Sequence, residues 1–265
     1  MMTLENLYQE NIDGQSKLLE RLSNRPESIS INTYLNLWFC QESFAVKKIS
    51  EKDNIGSKIH FNICGLLDEF LITKFNDRLL DYGIHHICLA ILSDNEPFIQ
   101  RYAKLRYHTT YIDGRTDQVR PLTMDEMVLK GESAIGCNTI QFFMENNMDG
   151  IERNLNLYEV FKTKILRMGK TVELDFEFFK ALHFEDKTKM EELLEKLVSP
   201  KVLKRKFDNP ILNKFIALPA LGYAKLAWRK GIEVEVNSPL VPKELLPIKP
   251  LDNYEIPYDF LRETV

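Results

Sequence analysis

Apolar residues recur at helical spacing along most of this chain. Between residues 3 and 23, Leu4, Leu7, Tyr8, Ile12, Leu18, Leu19 and Leu22 form a stripe in a charged background, with Gly14 weakening its middle. Asn24-Arg25-Pro26 breaks that helix. A second follows from Ser30 to about Ile49, where Tyr34, Leu35, Trp38, Phe39 and Ala45 recur. The loop Lys52-Asp53-Asn54-Ile55-Gly56 leads to a third over 57–74, with Phe61, Cys64, Leu67, Phe70 and Leu71 on its apolar face. Two more helices are predicted over 77–92 and 95–107, the latter with Glu96-Pro97 in the first turn, where proline is tolerated. Residues 108–122 read as a loop, Tyr111-Ile112-Asp113-Gly114 making a turn and Pro121 closing the segment. Helices resume over 123–130, 134–146 and 149–167, punctuated by Gly131 and Gly150.

The last third carries the clearest signals. Asp175 is placed to cap a helix bearing Phe178, Phe179 and Leu182. Asp186 is placed to cap the next, whose Met190, Leu193, Leu194 and Leu197 follow i, i+3, i+4, i+7. The short link between them predicts an antiparallel αα-hairpin. Ser199-Pro200 ends it, and Asp208-Asn209-Pro210 opens another helical stretch over 211–230, interrupted at Pro219. Ala220, Ala224 and Ala227 form a small-residue stripe that admits a close neighbour, and Arg229-Lys230-Gly231 is a helix stop. Ile232-Glu233-Val234-Glu235-Val236 alternates like a short strand. Five of the eleven prolines then fall between 239 and 257, so the tail is read as extended and wrapped on the body. The fold class expected is mainly α: a multi-helical bundle or irregular stack of αα-hairpins with a short C-terminal strand and a Pro-rich tail. The division expected is a helical region over 1–122 and a second over 123–265, packed as one continuous body.

Composition narrows the class. In 265 residues, 44% are hydrophobic, enough for a core and too many for a disordered chain. No apolar run approaches the ~20 residues of a membrane span, and the first residues lack the basic and apolar regions of a secretory signal, so a cytoplasmic location is expected. Cys40, Cys64, Cys88 and Cys137 are widely spaced, which predicts buried, reduced thiols. The net charge of -4 resides in residues 232–265, which hold seven acids against three bases. That balance argues against nucleic-acid binding and suits a basic protein partner.

A search for chemistry finds little. His85, His86 and Cys88 are the one cluster of metal-type side chains, but adjacent helical residues point about 100° apart and no second ligand pair is present. A packed helix is the better reading, and no metal or cofactor is expected. Ser133-Ala134-Ile135-Gly136-Cys137 lacks the second glycine of a phosphate cradle, and no P-loop, HExxH or GxSxG occurs. The paired acids Asp68-Glu69, Asp125-Glu126 and Glu191-Glu192 read as solvated helix faces. Lys201, Lys204, Arg205 and Lys206 read as local ion partners of the acidic helix over 185–196. A long helical chain without a reactive constellation is read as a binding protein, not an enzyme.

The stretch from Leu218-Pro219-Ala220-Leu221-Gly222-Tyr223-Ala224-Lys225-Leu226-Ala227-Trp228 through Gly231, Ile232-Glu233-Val234-Glu235 and Pro242-Lys243-Glu244-Leu245-Leu246-Pro247 resembles the C-terminal signature of immunity protein family 49 of bacterial polymorphic toxin systems. With the paired helices upstream, the resemblance covers roughly residues 150–261. It implies a helical protein that binds a cognate toxin acting in the cytosol, a nuclease or another cytosolic enzyme, and blocks it without catalysis. The acidic tail suits a basic toxin: Glu233, Glu235, Glu244, Asp252, Glu255 and Asp259 are the charged candidates for the interface, with Tyr254 and Tyr258 as aromatic anchors. The rival readings are a helical-repeat scaffold for another partner and an enzyme site around His85, His86 and Cys88.

Overall fold

The computed structural model describes residues 2–24, 30–81, 83–112, 119–132, 134–167, 169, 171–207 and 209–262. Helices dominate it. In chain order they are α1 (Leu4–Asn24), α2 (Ile31–Ser50), α3 (Asn54–Phe75), α4 (Ile84–Leu92) and α5 (Glu96–Tyr102). After a hairpin come α6 (Met124–Leu129), α7 (Ile135–Glu145), α8 (Met148–Ile165), α9 (Val172–His183) and α10 (Lys187–Leu197). Last are α11 (Pro200–Lys206), α12 (Leu218–Arg229) and α13 (Asp259–Arg262). The fold is mainly α, as the periodicity predicts.

Local chemistry sets many of the boundaries. The Asp53 carboxylate accepts from the Gly56 amide at 2.8 Å and starts α3; the Asn147 and Asp186 side chains do the same for α8 and α10. Thr123 and Glu126 form a reciprocal capping box at α6. Helix α3 ends on Asn76 in the left-handed region, and α12 is followed by Gly231 at φ +79°. The predicted break after Asn24 is where α1 ends, although Arg25 and Pro26 lie outside the described residues, as do Asp113, Gly114, Ser133 and Asp208 of the other predicted turns and starts.

Helix α4 is the centre of the packing. Its sequence is apolar on nearly every side, and it meets α3, α5, α7 and α12. The small-residue stripe of α12 is what permits the last contact. A Cβ at Gly222 would stand 2.3 Å from the Cys88 sulfur, so the two helices approach closer than any side chain there would allow. Around this crossing runs one buried apolar cluster that includes Leu37, Phe61, Leu67, Ile87, Phe98, Phe178, Tyr223 and Leu261. The α9–α10 hairpin forms as predicted.

Several expectations need correction, among them the paired acids Asp68-Glu69, which are buried and not a solvated face. Residues 108–122 are not a loop: β1 (His108–Ile112) pairs antiparallel with β2 (Val119–Thr123), with Thr110 opposite Pro121. The β-branched run Thr109-Thr110 favours the strand, and in a two-stranded sheet each strand is an edge, where a proline costs little. Residues 232–236 are extended but pair with no strand among the described residues. Glutamates on α10 serve instead: the Glu191 and Glu195 carboxylates accept from the amides of Glu235 and Asn237 at 2.9 and 2.7 Å. Asp175 does not cap α9, which starts at Thr171; its carboxylate is buried and bonded elsewhere.

Candidate protein-binding surface

The C-terminal segment is strapped to the body by polar contacts that begin inside α12. Lys225 is the single charge in an otherwise apolar run, and it is fully buried. Its ammonium lies 2.7 Å from the Asp94 carboxylate and donates to the carbonyls of Leu245 and Pro247, each at 2.9 Å. Lys58 reaches the same carboxylate at 2.7 Å and donates to the Lys249 carbonyl. Burial pushes the Lys225 ammonium down to about 8, with Asp94 opposing that shift. One buried aspartate and two lysines therefore hold the backbone at 245–249. Sequence reading missed this clamp, yet its signal was visible: a lone lysine in an all-apolar helix must find a partner.

Further along, the Tyr254 hydroxyl donates to the Ser93 carbonyl at 2.8 Å. Tyr258 is buried; its hydroxyl donates to Gln15 at 2.8 Å and accepts from Gln41 at 2.6 Å. Both tyrosines thus anchor the strap to its own body. The six candidate acids lie differently. Glu233, Glu235, Glu244, Asp252, Glu255 and Asp259 are all exposed, and among the described residues Asp259 alone is engaged in an ion pair, with Arg262 at 3.0 Å. The remaining carboxylates face solvent along a rigidly held backbone.

Several titratable groups of the interior are committed to each other. His86 Nδ1 lies 2.8 Å from Asp68, which also accepts from the Tyr102 hydroxyl at 3.1 Å. Burial pushes the His86 imidazole down to about 3 and the Asp68 carboxyl well up, so both favour their neutral forms. His85 packs edge-on against Trp38 and is also pushed down by burial. No group of three His, Cys, Asp or Glu that could hold a metal occurs among the described residues. All four cysteines are free and buried, as expected. Lys206 does not pair with the acidic helix that follows α9. It reaches Asp175 on α9 itself, at 2.5 Å and out of solvent, and Tyr223 donates to the same carboxylate at 2.6 Å. No helix among the described residues is long and apolar enough to cross a membrane.

These features define a mainly α protein in which Asp68, Asp94 and Asp175 are paired in the interior and whose C-terminal strap carries exposed acids that, Asp259 apart, make no ion pair among the described residues. A family model described as Immunity protein 49 matches residues 30–245. The chain belongs to that family, which implies an immunity role and a cognate toxin as partner. The match takes in α2 to α12, far more of the N-terminal half than the residues that first suggested it. It includes Glu233, Glu235 and Glu244 and stops before Asp252, Tyr254, Glu255, Tyr258 and Asp259. No curated protein and no solved structure matches the chain.

Proposed function

We propose that this chain neutralises a cognate bacterial toxin in the cytosol by stoichiometric binding, without catalysis. The family match over residues 30–245 carries the proposal. Inhibition of this kind needs a pre-formed surface that covers the toxin's working site or restrains its motion, and a pre-formed surface loses little entropy on binding. The clamp of Lys225, Asp94 and Lys58 supports such rigidity in the strap. The exposed acids on that strap support a basic toxin, a nuclease being one that fits, because opposite fields speed encounter.

A growth-rescue assay tests the proposal. The toxin domain encoded beside this chain is expressed in the cytosol of a sensitive host, with and without it, and the pair is co-purified. Rescue with a one-to-one complex is expected; no rescue by folded protein against a verified toxin would sink the pairing. Replacing Glu233, Glu235 and Glu244 together by lysine should slow association by about tenfold at low salt and flatten its salt dependence. Unchanged kinetics would remove the strap from the interface.

A further inference from the structure

Between α8 and α9 lies a groove of about 300 Å³, lined by Glu152, Tyr158, Glu159, Phe176, Glu177 and His183. Its floor is aromatic. The rings of Tyr158 and Phe176 stack with centroids 4.0 Å apart and planes at 10°. Tyr158 is 2% exposed, yet its hydroxyl has no hydrogen-bond partner among the described residues, and neither has Nδ1 of His183. The other ring nitrogen of His183, Nε2, stands 3.7 Å from the Glu152 carboxylate, so Nδ1 is left without a partner while Nε2 faces an acid. The Tyr158 phenol can accept as well as donate. Two buried polar atoms thus lack partners, a costly arrangement unless something else supplies them.

The rim is negative. Against Glu152, Glu159 and Glu177 stands Lys180, whose ammonium is 3.8 Å from Glu159. Lys162, on the same helix as Tyr158, is held at 3.0 Å by Glu173 and lies 5.8 Å from the Tyr158 ring centre. Glu177 makes no ion pair with any described residue. At the mouth, Phe184 is 68% exposed.

An anion would be repelled here, and an apolar ligand would leave the tyrosine hydroxyl and the histidine nitrogen unpaired. The acids form no metal-binding group among the described residues. A guanidinium answers each feature: its plane lies on the exposed ring of Phe184, its fork meets a carboxylate with two parallel bonds, and its remaining N–H groups reach further acceptors. An ammonium offers one compact charge and no plane. We infer that this groove receives an arginine side chain from the basic face of the toxin, with Phe184 packing beside it. The inference rests on the immunity reading for the source of that arginine. It also fits the packing order, since α9 lies against α10 and α10 holds the acidic strap.

The test has two arms. In the first, the nitrogen-labelled full chain is titrated with a hexa-arginine peptide and, separately, with hexa-lysine, following amide shifts. Hexa-arginine should perturb α8 and α9 amides and bind more tightly than hexa-lysine. The triple variant Glu152→Gln, Glu159→Gln, Glu177→Gln should weaken it by about tenfold, and Tyr158→Phe, which keeps the stack, by about threefold. Perturbation centred elsewhere, equal binding of the two peptides, or an undiminished affinity in the folded triple variant overturns the inference. In the second arm, affinity for a toxin domain that the wild type neutralises is measured. A loss of about tenfold in the triple variant is expected. Unchanged affinity and rescue would overturn the groove while leaving the immunity reading intact. A wild type that neutralises no toxin would count against the immunity reading alone, and the peptide titration would then decide the groove.

Discussion

Replacing Lys225 by methionine isolates the clamp that holds the C-terminal strap. Methionine preserves most of the side-chain volume, so the change removes an ammonium and little packing. Two carbonyls lose their donor, that of Leu245 buried and that of Pro247 half-buried. Each unsatisfied buried acceptor costs about 1–3 kcal/mol. Asp94 is not orphaned, because Lys58 still stands 2.7 Å away. The expected loss is therefore about 3 kcal/mol, at the low end for breaking a buried ion pair. Asp94→Asn should cost more, roughly 4–5 kcal/mol, because it leaves two buried ammonium groups facing each other without a counter-charge. That ranking is the signature of a shared aspartate. Urea denaturation followed by the fluorescence of Trp38 and Trp228 measures both losses. Limited trypsin digestion at Lys243 reports whether the strap loosens first. A loss under about 1 kcal/mol for Lys225→Met, or an Asp94→Asn variant milder than it, would refute the argument.

Other outcomes follow from single contacts. Gly222→Ala should destabilise by about 1–3 kcal/mol in thermal melts, because the new methyl collides with Cys88 at the α4–α12 crossing. Burial pushes the His60 imidazole down to about 4, Lys48 adding to the shift and Asp53 opposing it. Between that value and about 6.5 the unfolded chain binds a proton that the folded chain refuses, so stability falls as pH drops through this window. His60→Gln should remove about 2 kcal/mol of the loss between pH 7 and pH 5, measured by denaturation at both; an unchanged pH slope would contradict the assignment. Burial pushes the Cys40 thiol up to about 11 and raises the other three as well, so a thiol reagent should leave the native chain unlabelled and label four sites after unfolding.

The sequence alone determined the helical class, the caps at Asp186 and Gly231, the α9–α10 hairpin, the close-packing stripe on α12 and an acidic, proline-stiffened end. All of these are written in spacings of a few residues, where periodicity, capping hydrogen bonds and the locked φ of proline act directly on the backbone. The pairing of 108–112 with 119–123 was obscured because Pro121 reads as a strand breaker until the sheet is known to have only two strands. Asp175 looked like a cap because a carboxylate near a helix start usually is one; burial beside Lys206 and Tyr223 gave it a different task. Asp94 and Lys225 are 131 positions apart, and nothing local to either names the other. The groove of Glu152, Glu177 and Tyr158 likewise arises only when α8 is laid against α9. Partner choice among distant charges was decided by tertiary packing, because packing alone determines which groups leave water together and must then satisfy one another.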